Sequence, residues 1–112
     1  MKYLLLMYND EAVWAPDELP EAMAHAVASC HQLHARGQYV DASPLHPVAT
    51  ATSVRVRDGK RIVTDGPFAE TKEQLGGYVL VEAGSVEEAQ AIAARFPAAH
   101  RGTVEVRALL EE

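Results

Sequence analysis

Lys2-Tyr3-Leu4-Leu5-Leu6-Met7-Tyr8 opens the chain, and its pattern decides the fold. The run is short, rich in leucine and aromatics, and stops at polar Asn9-Asp10, as a β-strand does. Alternation along a strand puts Tyr3, Leu5 and Met7 on one face and Leu4, Leu6 and Tyr8 on the other. Both sets are apolar. Such a strand sits in the middle of a sheet that is covered on both sides.

The rest of the chain fits that sheet. A helix is predicted from Asp17 to Arg36, with Asp17 as N-cap, Pro20 in the first turn and Gly37 as the stop. Leu19, Met23, Ala26, Val27, Cys30 and Leu33 form its apolar stripe. Gln38 to Ala42 reads as a second strand, ended by Ser43-Pro44. Ser53–Arg57 and Arg61–Thr64 flank Asp58-Gly59, the strongest short hairpin signal. Asp65-Gly66-Pro67-Phe68 must be irregular, and Ala69–Gln74 is expected to form one helical turn. Tyr78–Ala83 is another strand with two apolar faces. Ser85 and Glu88 make a capping box ahead of a helix carrying Val86, Ala89, Ile92, Ala93 and Phe96, closed by Pro97. Thr103–Leu110 alternates as a last strand.

The order is therefore β-α-β, hairpin, β-α-β. This predicts a single-domain α+β ferredoxin-like sandwich with an inserted β-hairpin. Its two helices cover only one face of the sheet. A second copy, sheet against sheet in a C2 homodimer, is the expected cover for the other.

Composition narrows the function. The 112 residues provide one core, and a net charge of −6 argues against direct nucleic-acid binding. No run approaches the roughly 20 apolar residues of a membrane span, and acidic Asp10 and Glu11 stand where a signal-peptide cleavage site would be. The one cysteine, Cys30, fits a reducing cytoplasm. Neither a phosphate-cradling glycine loop, a nucleophile elbow nor a dinucleotide fingerprint occurs, so no cofactor is expected.

The polar groups concentrate between Asp65 and Glu73, beside a rigid Gly-Pro turn. In one interpretation Asp65 is a general base or polar anchor. Glu70, Thr71, Lys72 and Arg107 then contact a small anionic or aromatic ligand, and Phe68 with Tyr78 provides an apolar lining. In the other, Asp65 bonds to backbone N–H groups in an Asx-turn and Phe68 anchors the loop in the core. His25, His31 and His34 share the first helix, but their spacing does not make a metal site. His34 is retained as a ligand contact. Cys30, in the apolar stripe, reads as a small hydrophobe. Arg55, Arg57, Lys60 and Arg61 make the hairpin locally basic, able to grip an anion or to blunt a sheet edge.

Val54-Arg55-Val56-Arg57-Asp58-Gly59-Lys60, and then Thr64-Asp65-Gly66-Pro67-Phe68-Ala69-Glu70-Thr71-Lys72-Glu73-Gln74-Leu75-Gly76-Gly77-Tyr78, resemble the signature of the DGPF-type, YCII-related proteins. Lys2–Tyr8 and Val104–Arg107 are similar to that family too. The resemblance implies a ferredoxin-like domain that dimerises into an α+β barrel, and implies little about chemistry. It also brings an alternative, a non-catalytic accessory role on a protein partner such as a sigma factor. Some YCII-related enzymes pair a histidine on the first helix with an aspartate. The matching positions here are Ala26 and Ala35, so the resemblance does not carry that dyad over.

Overall fold

The computed structural model describes residues 1–111. Eight residues, Lys2–Asn9, form β1, and α1 spans Leu19–Ala35. β2 is Tyr39–Pro44, followed by a short 3-10 turn at Val48–Thr50. β3 (Thr52–Arg57) and β4 (Lys60–Asp65) form a hairpin. β5 (Gln74–Glu82), α2 (Val86–Ala93), α3 (Pro97–Arg101) and β6 (Thr103–Ala108) complete the chain.

The four main strands lie in the order β2-β5-β1-β6, with every neighbouring pair antiparallel. That is the ferredoxin-like arrangement, with β1 and β5 in the middle as their two apolar faces require. Tyr3 and Leu5 of β1 and Val79 and Val81 of β5 point under the helices. There they pack with Leu33, Ala89, Ile92, Ala93 and Phe96 in one buried core. On the opposite face Leu4 lies across from Leu80, and Leu6 from Tyr78. These side chains are only half-buried, because no helix reaches that side.

Local chemistry explains most boundaries. Asp58 and Gly59 both take positive φ, 53° and 74°, the backbone of a two-residue hairpin turn whose twist matches its strands. Ser85 Oγ accepts the Glu88 N–H at 3.1 Å and caps α2. Gly37, at φ 72°, ends α1: its N–H bonds the His34 carbonyl and the Gln38 N–H bonds the Leu33 carbonyl. Where β1 passes Gly76-Gly77 the pairing slips by one residue. A Cβ at Gly77 would stand 3.0 Å from the Ser43 carbonyl oxygen, so the close approach of β2 there needs glycine.

Four expectations are corrected. Ala69–Gln74 forms bends rather than a helical turn, held by Gln74 Nε2, which donates to the Ala69 and Thr71 carbonyls at 3.1 Å each. Pro97 opens α3 instead of closing α2, since a first-turn proline has no N–H to leave unpaired. Glu18, not Asp17, takes the N-cap position of α1, without a side-chain capping bond. Most consequential is the α1 stripe. Leu33 is buried as expected, but Leu19, Met23 and Val27 are exposed. The helix docks by its C-terminal end, and its N-terminal half stands away from the sheet.

Candidate functional site

The gap under α1 is a cleft of about 910 Å³. Its floor is the helix-facing side of the sheet: Met7 of β1, Ala42 of β2 and Val79 of β5. Its roof is the α1 stripe of Ala22, Met23, Ala26, Val27 and Cys30, which recurs every three or four residues and so faces one way. Ala22, Ala26 and Cys30 have short side chains, and Ala26 and Cys30 only partly pack against the core. The space therefore stays open.

The two ends are closed differently. At one end lie Phe96, Pro97 and Ala98 with Trp14, on the segment between β1 and α1. That segment is tied down by Arg101 of α3. The Arg101 guanidinium lies 4.8 Å from the Trp14 ring centroid, donates to the Val13 carbonyl at 3.2 Å and pairs with Glu18 at 2.5 Å. Pairing with Arg101 holds the Glu18 carboxyl at about 2, well below its ordinary 4.5. At the other end His34 meets the Tyr39 ring edge-on at 6.3 Å.

Polar groups rim this apolar interior. Asn9, Asp10, Glu11, Ser43, Gln74, His31 and His34 all border it. Several are already engaged: Glu11 accepts the Val48 N–H at 2.9 Å, and Asp10 accepts the Ala12 N–H at 3.0 Å. The His31 and His34 imidazoles make no hydrogen bond among the described residues, leaving both able to meet a ligand. Burial pushes the Cys30 thiol up, which disfavours the thiolate a nucleophile needs. Among the described residues, no three His, Cys, Asp or Glu side chains are grouped to hold a metal. An apolar interior of this size with a few polar groups at its edge is the ordinary form of a small-molecule site.

The candidate residues from the sequence fall in three places. His34 and Tyr78 border the cleft. By strand register the Tyr78 side chain lies beside Leu6 on the open sheet face, where its hydroxyl donates to Asp41 Oδ2 at 2.8 Å. That bond raises the phenol above its ordinary value. Arg107 shares the open face and pairs with Glu105 at 3.3 Å.

Asp65, Phe68, Glu70, Thr71 and Lys72 form the third group, all exposed and outside the cleft lining. The loop reaches the rim only through Gln74. Phe68 does not anchor the loop in the core. It is 79% exposed, with the Arg55 guanidinium 5.8 Å from its ring centroid. The Asx-turn expected of Asp65 is replaced by another bond, in which Ser53 Oγ donates to the Gly66 carbonyl at 2.9 Å.

Trp14 and Arg101 escaped sequence reasoning, because they meet across the fold from distant parts of the chain. A tryptophan in a loop beside a helix start was the available signal. Ala26, where the family resemblance leads one to expect a histidine, does face the cleft.

Comparison with known proteins agrees with the architecture. An uncharacterised protein of Rhizobium meliloti (strain 1021) is 39% identical over 120 residues, covering 97% of this chain and 92% of that one. Among solved structures, the chain is similar in fold to 5-chloro-2-hydroxyhydroquinone dehydrochlorinase from Burkholderia phenoliruptrix AC1100, in complex with 2,5-dihydroxybenzoquinone. The TM-score is 0.56 at 14% identity, over 100% of this chain and 96% of the enzyme. The YCII-related domain matches residues 1–112 from end to end, and the chain belongs to the YCII-related family.

Proposed function

We propose that this protein binds a small ring compound, apolar over its faces and polar at its edge, in the cleft between α1 and the sheet. The observation that carries this assignment is the combination of about 910 Å³ of apolar space with the unengaged His31 and His34 imidazoles at its rim. The apolar floor and roof suit the two faces of a ring, and the imidazoles suit hydroxyl, oxo or carboxylate substituents. The Burkholderia enzyme of similar fold is in complex with a dihydroxylated quinone, a ligand of this class.

Binding rather than turnover is the function proposed. Ala26 occupies the histidine position of the catalytic dyad, and the Cys30 thiol is held protonated by burial. The Asp65–Glu73 loop lies outside the cleft lining, so Lys72 and Asp65 act on a ligand only through the longer-range field of their charges. We further infer that two chains pair by their open sheet faces, which covers the half-exposed Leu4, Leu6 and Leu80.

A thermal-shift screen of phenols, hydroxyquinones and aromatic carboxylates tests the site. A ligand at one hundred times its Kd adds about 2.7 kcal/mol of stability. Ala26→Phe fills the cleft and should abolish the shift, while Asp65→Ala should leave most of it. Loss of the shift in Asp65→Ala with its retention in Ala26→Phe would move the site to the loop. A flat profile across the screen, with co-purification of a sigma factor, would replace ligand binding by an accessory role.

A further inference from the structure

The β3–β4 hairpin is an arm with nothing to lean on. Among the described residues its strands pair only with each other, and its base is closed by the Gly66 N–H to Ala51 carbonyl bond at 2.7 Å and the Ser53 Oγ to Gly66 carbonyl bond. An isolated two-stranded hairpin is at best marginally stable in water. This one is also two-faced. Val54, Val56 and Val63 share one face by register, with Arg61 toward the tip, and the valines are 59%, 61% and 57% exposed. Arg55, Arg57 and Lys60 share the other face with Ile62. Three unpartnered valines on a β surface are a docking face, since β-branched side chains are placed there at the cost of solubility.

We propose that the valine face of the arm docks on a second copy of this chain, each arm embracing the other copy's body. The inference rests on the sheet-to-sheet pairing proposed above.

Charge favours this occupant. The arm, Thr52–Asp65, holds four of the ten basic residues and two of the sixteen acidic ones, a net +2. The remaining six basic and fourteen acidic residues give the body −8. A cationic arm is drawn to an anionic body, whereas two bodies repel each other.

Area favours it too. Four strands about 4.8 Å apart and about 20 Å long present roughly 400 Å² of sheet face, so two sheets alone bury about 800 Å². A stable interface needs about 1,200–2,000 Å². Two arms, each covering about 200 Å² and hiding as much beneath it, bring the total to about 1,600 Å². The molecule is also flat, 47 × 44 × 18 Å, as a chain with an outstretched arm should be.

The test compares wild type, Leu6→Glu on the sheet face and the triple arm variant Val54→Thr/Val56→Thr/Val63→Thr. Threonine preserves the β-branched shape, and all three valines are already solvent-facing within one chain, so the arm variant should fold. Sedimentation over a concentration series gives the dimer Kd. Hydrogen exchange reads the arm amides.

The expected result is a wild-type dimer with arm amides protected in a concentration-dependent way, and a Kd raised at least tenfold in the arm variant. A dimer that Leu6→Glu breaks but the arm variant leaves at unchanged Kd overturns the arm proposal and spares the sheet pairing. A wild-type monomer at 100-fold the working concentration overturns both. Arm amides that exchange freely in the dimer and become protected only on phosphatidylserine vesicles overturn it in favour of a lipid surface.

Discussion

The Arg101 guanidinium stacks 4.8 Å from the Trp14 ring centroid and so joins the last helix to the loop that shuts one end of the cleft. The two residues come from opposite ends of the chain. Their contact is reinforced by Glu18, which accepts from the same guanidinium. One side chain thus fixes the indole, the start of α1 and, through that start, the height of the cleft roof. The cleft is as open as this latch allows.

Arg101→Gln should therefore free the Trp14 loop without unfolding the sheet, since the latch is solvent-facing and the core lies elsewhere. Trp14 is the only tryptophan, so its fluorescence reports the latch directly. Emission should shift to the red and anisotropy fall in Arg101→Gln, with an unchanged far-UV spectrum and a several-fold weaker ligand Kd. Arg101→Lys should restore little of this, because an ammonium has no planar group to stack and fork at once.

The same latch sets a pH dependence. In the folded chain the Glu18 carboxyl sits at about 2, against an ordinary 4.5. A depressed carboxyl stabilises the fold fully above its unfolded value and ceases to as pH falls through its folded value. The gap in Tm between wild type and Arg101→Gln should be constant from pH 7 to about 5 and close between 4.5 and about 2. A gap that stayed constant down to about pH 2 would show that Glu18 contributes nothing through its charge.

Strand order, hairpin and capping box were legible in the sequence because each rests on short-range chemistry. Asp58-Gly59 permits one turn, Ser85 with Glu88 permits one cap, and two-faced apolar strands permit only central places. The site was not legible in the same way. Periodicity located the α1 stripe but could not say that its N-terminal half would hang over a void, because that depends on how far Ala22 and Ala26 stand from Met7 and Val79. The polar density of Asp65–Glu73 drew attention to a loop that the fold places outside the cleft. Trp14 and Arg101 meet only through tertiary packing, which no local window contains.

Gly102→Ala should be among the most damaging single-methyl additions. Gly102 has ordinary extended backbone, so its conformation is not the difficulty. A Cβ there would collide with the Tyr8 carbonyl oxygen and the Asn9 side-chain amide, where the turn from α3 into β6 crosses the end of β1. Either β6 or β1 must move, and overpacking of this kind costs typically about 1–3 kcal/mol. Urea denaturation should show a lower midpoint at an unchanged m-value. Gly84→Ala is the control, since it would press only on the far end of the flexible Glu88 side chain at 3.3 Å.

Ser53 and Asp65, at the root of the arm, should differ in the opposite sense to their polarity. Ser53 Oγ donates to the Gly66 carbonyl across the hairpin's base, in a partly buried bond of 2.9 Å. Asp65 is exposed, and its carboxylate accepts no hydrogen bond among the described residues. Ser53→Ala should lower stability by about 0.5–1.5 kcal/mol, the net value of a neutral hydrogen bond. Asp65→Asn should change it by less than about 0.5 kcal/mol, as for a surface substitution. Hydrogen exchange adds a second reading, because loosening the base should speed exchange along β3 and β4 in Ser53→Ala alone. A larger loss in Asp65→Asn than in Ser53→Ala would mean that the carboxylate, not the hydroxyl, closes the base of the hairpin.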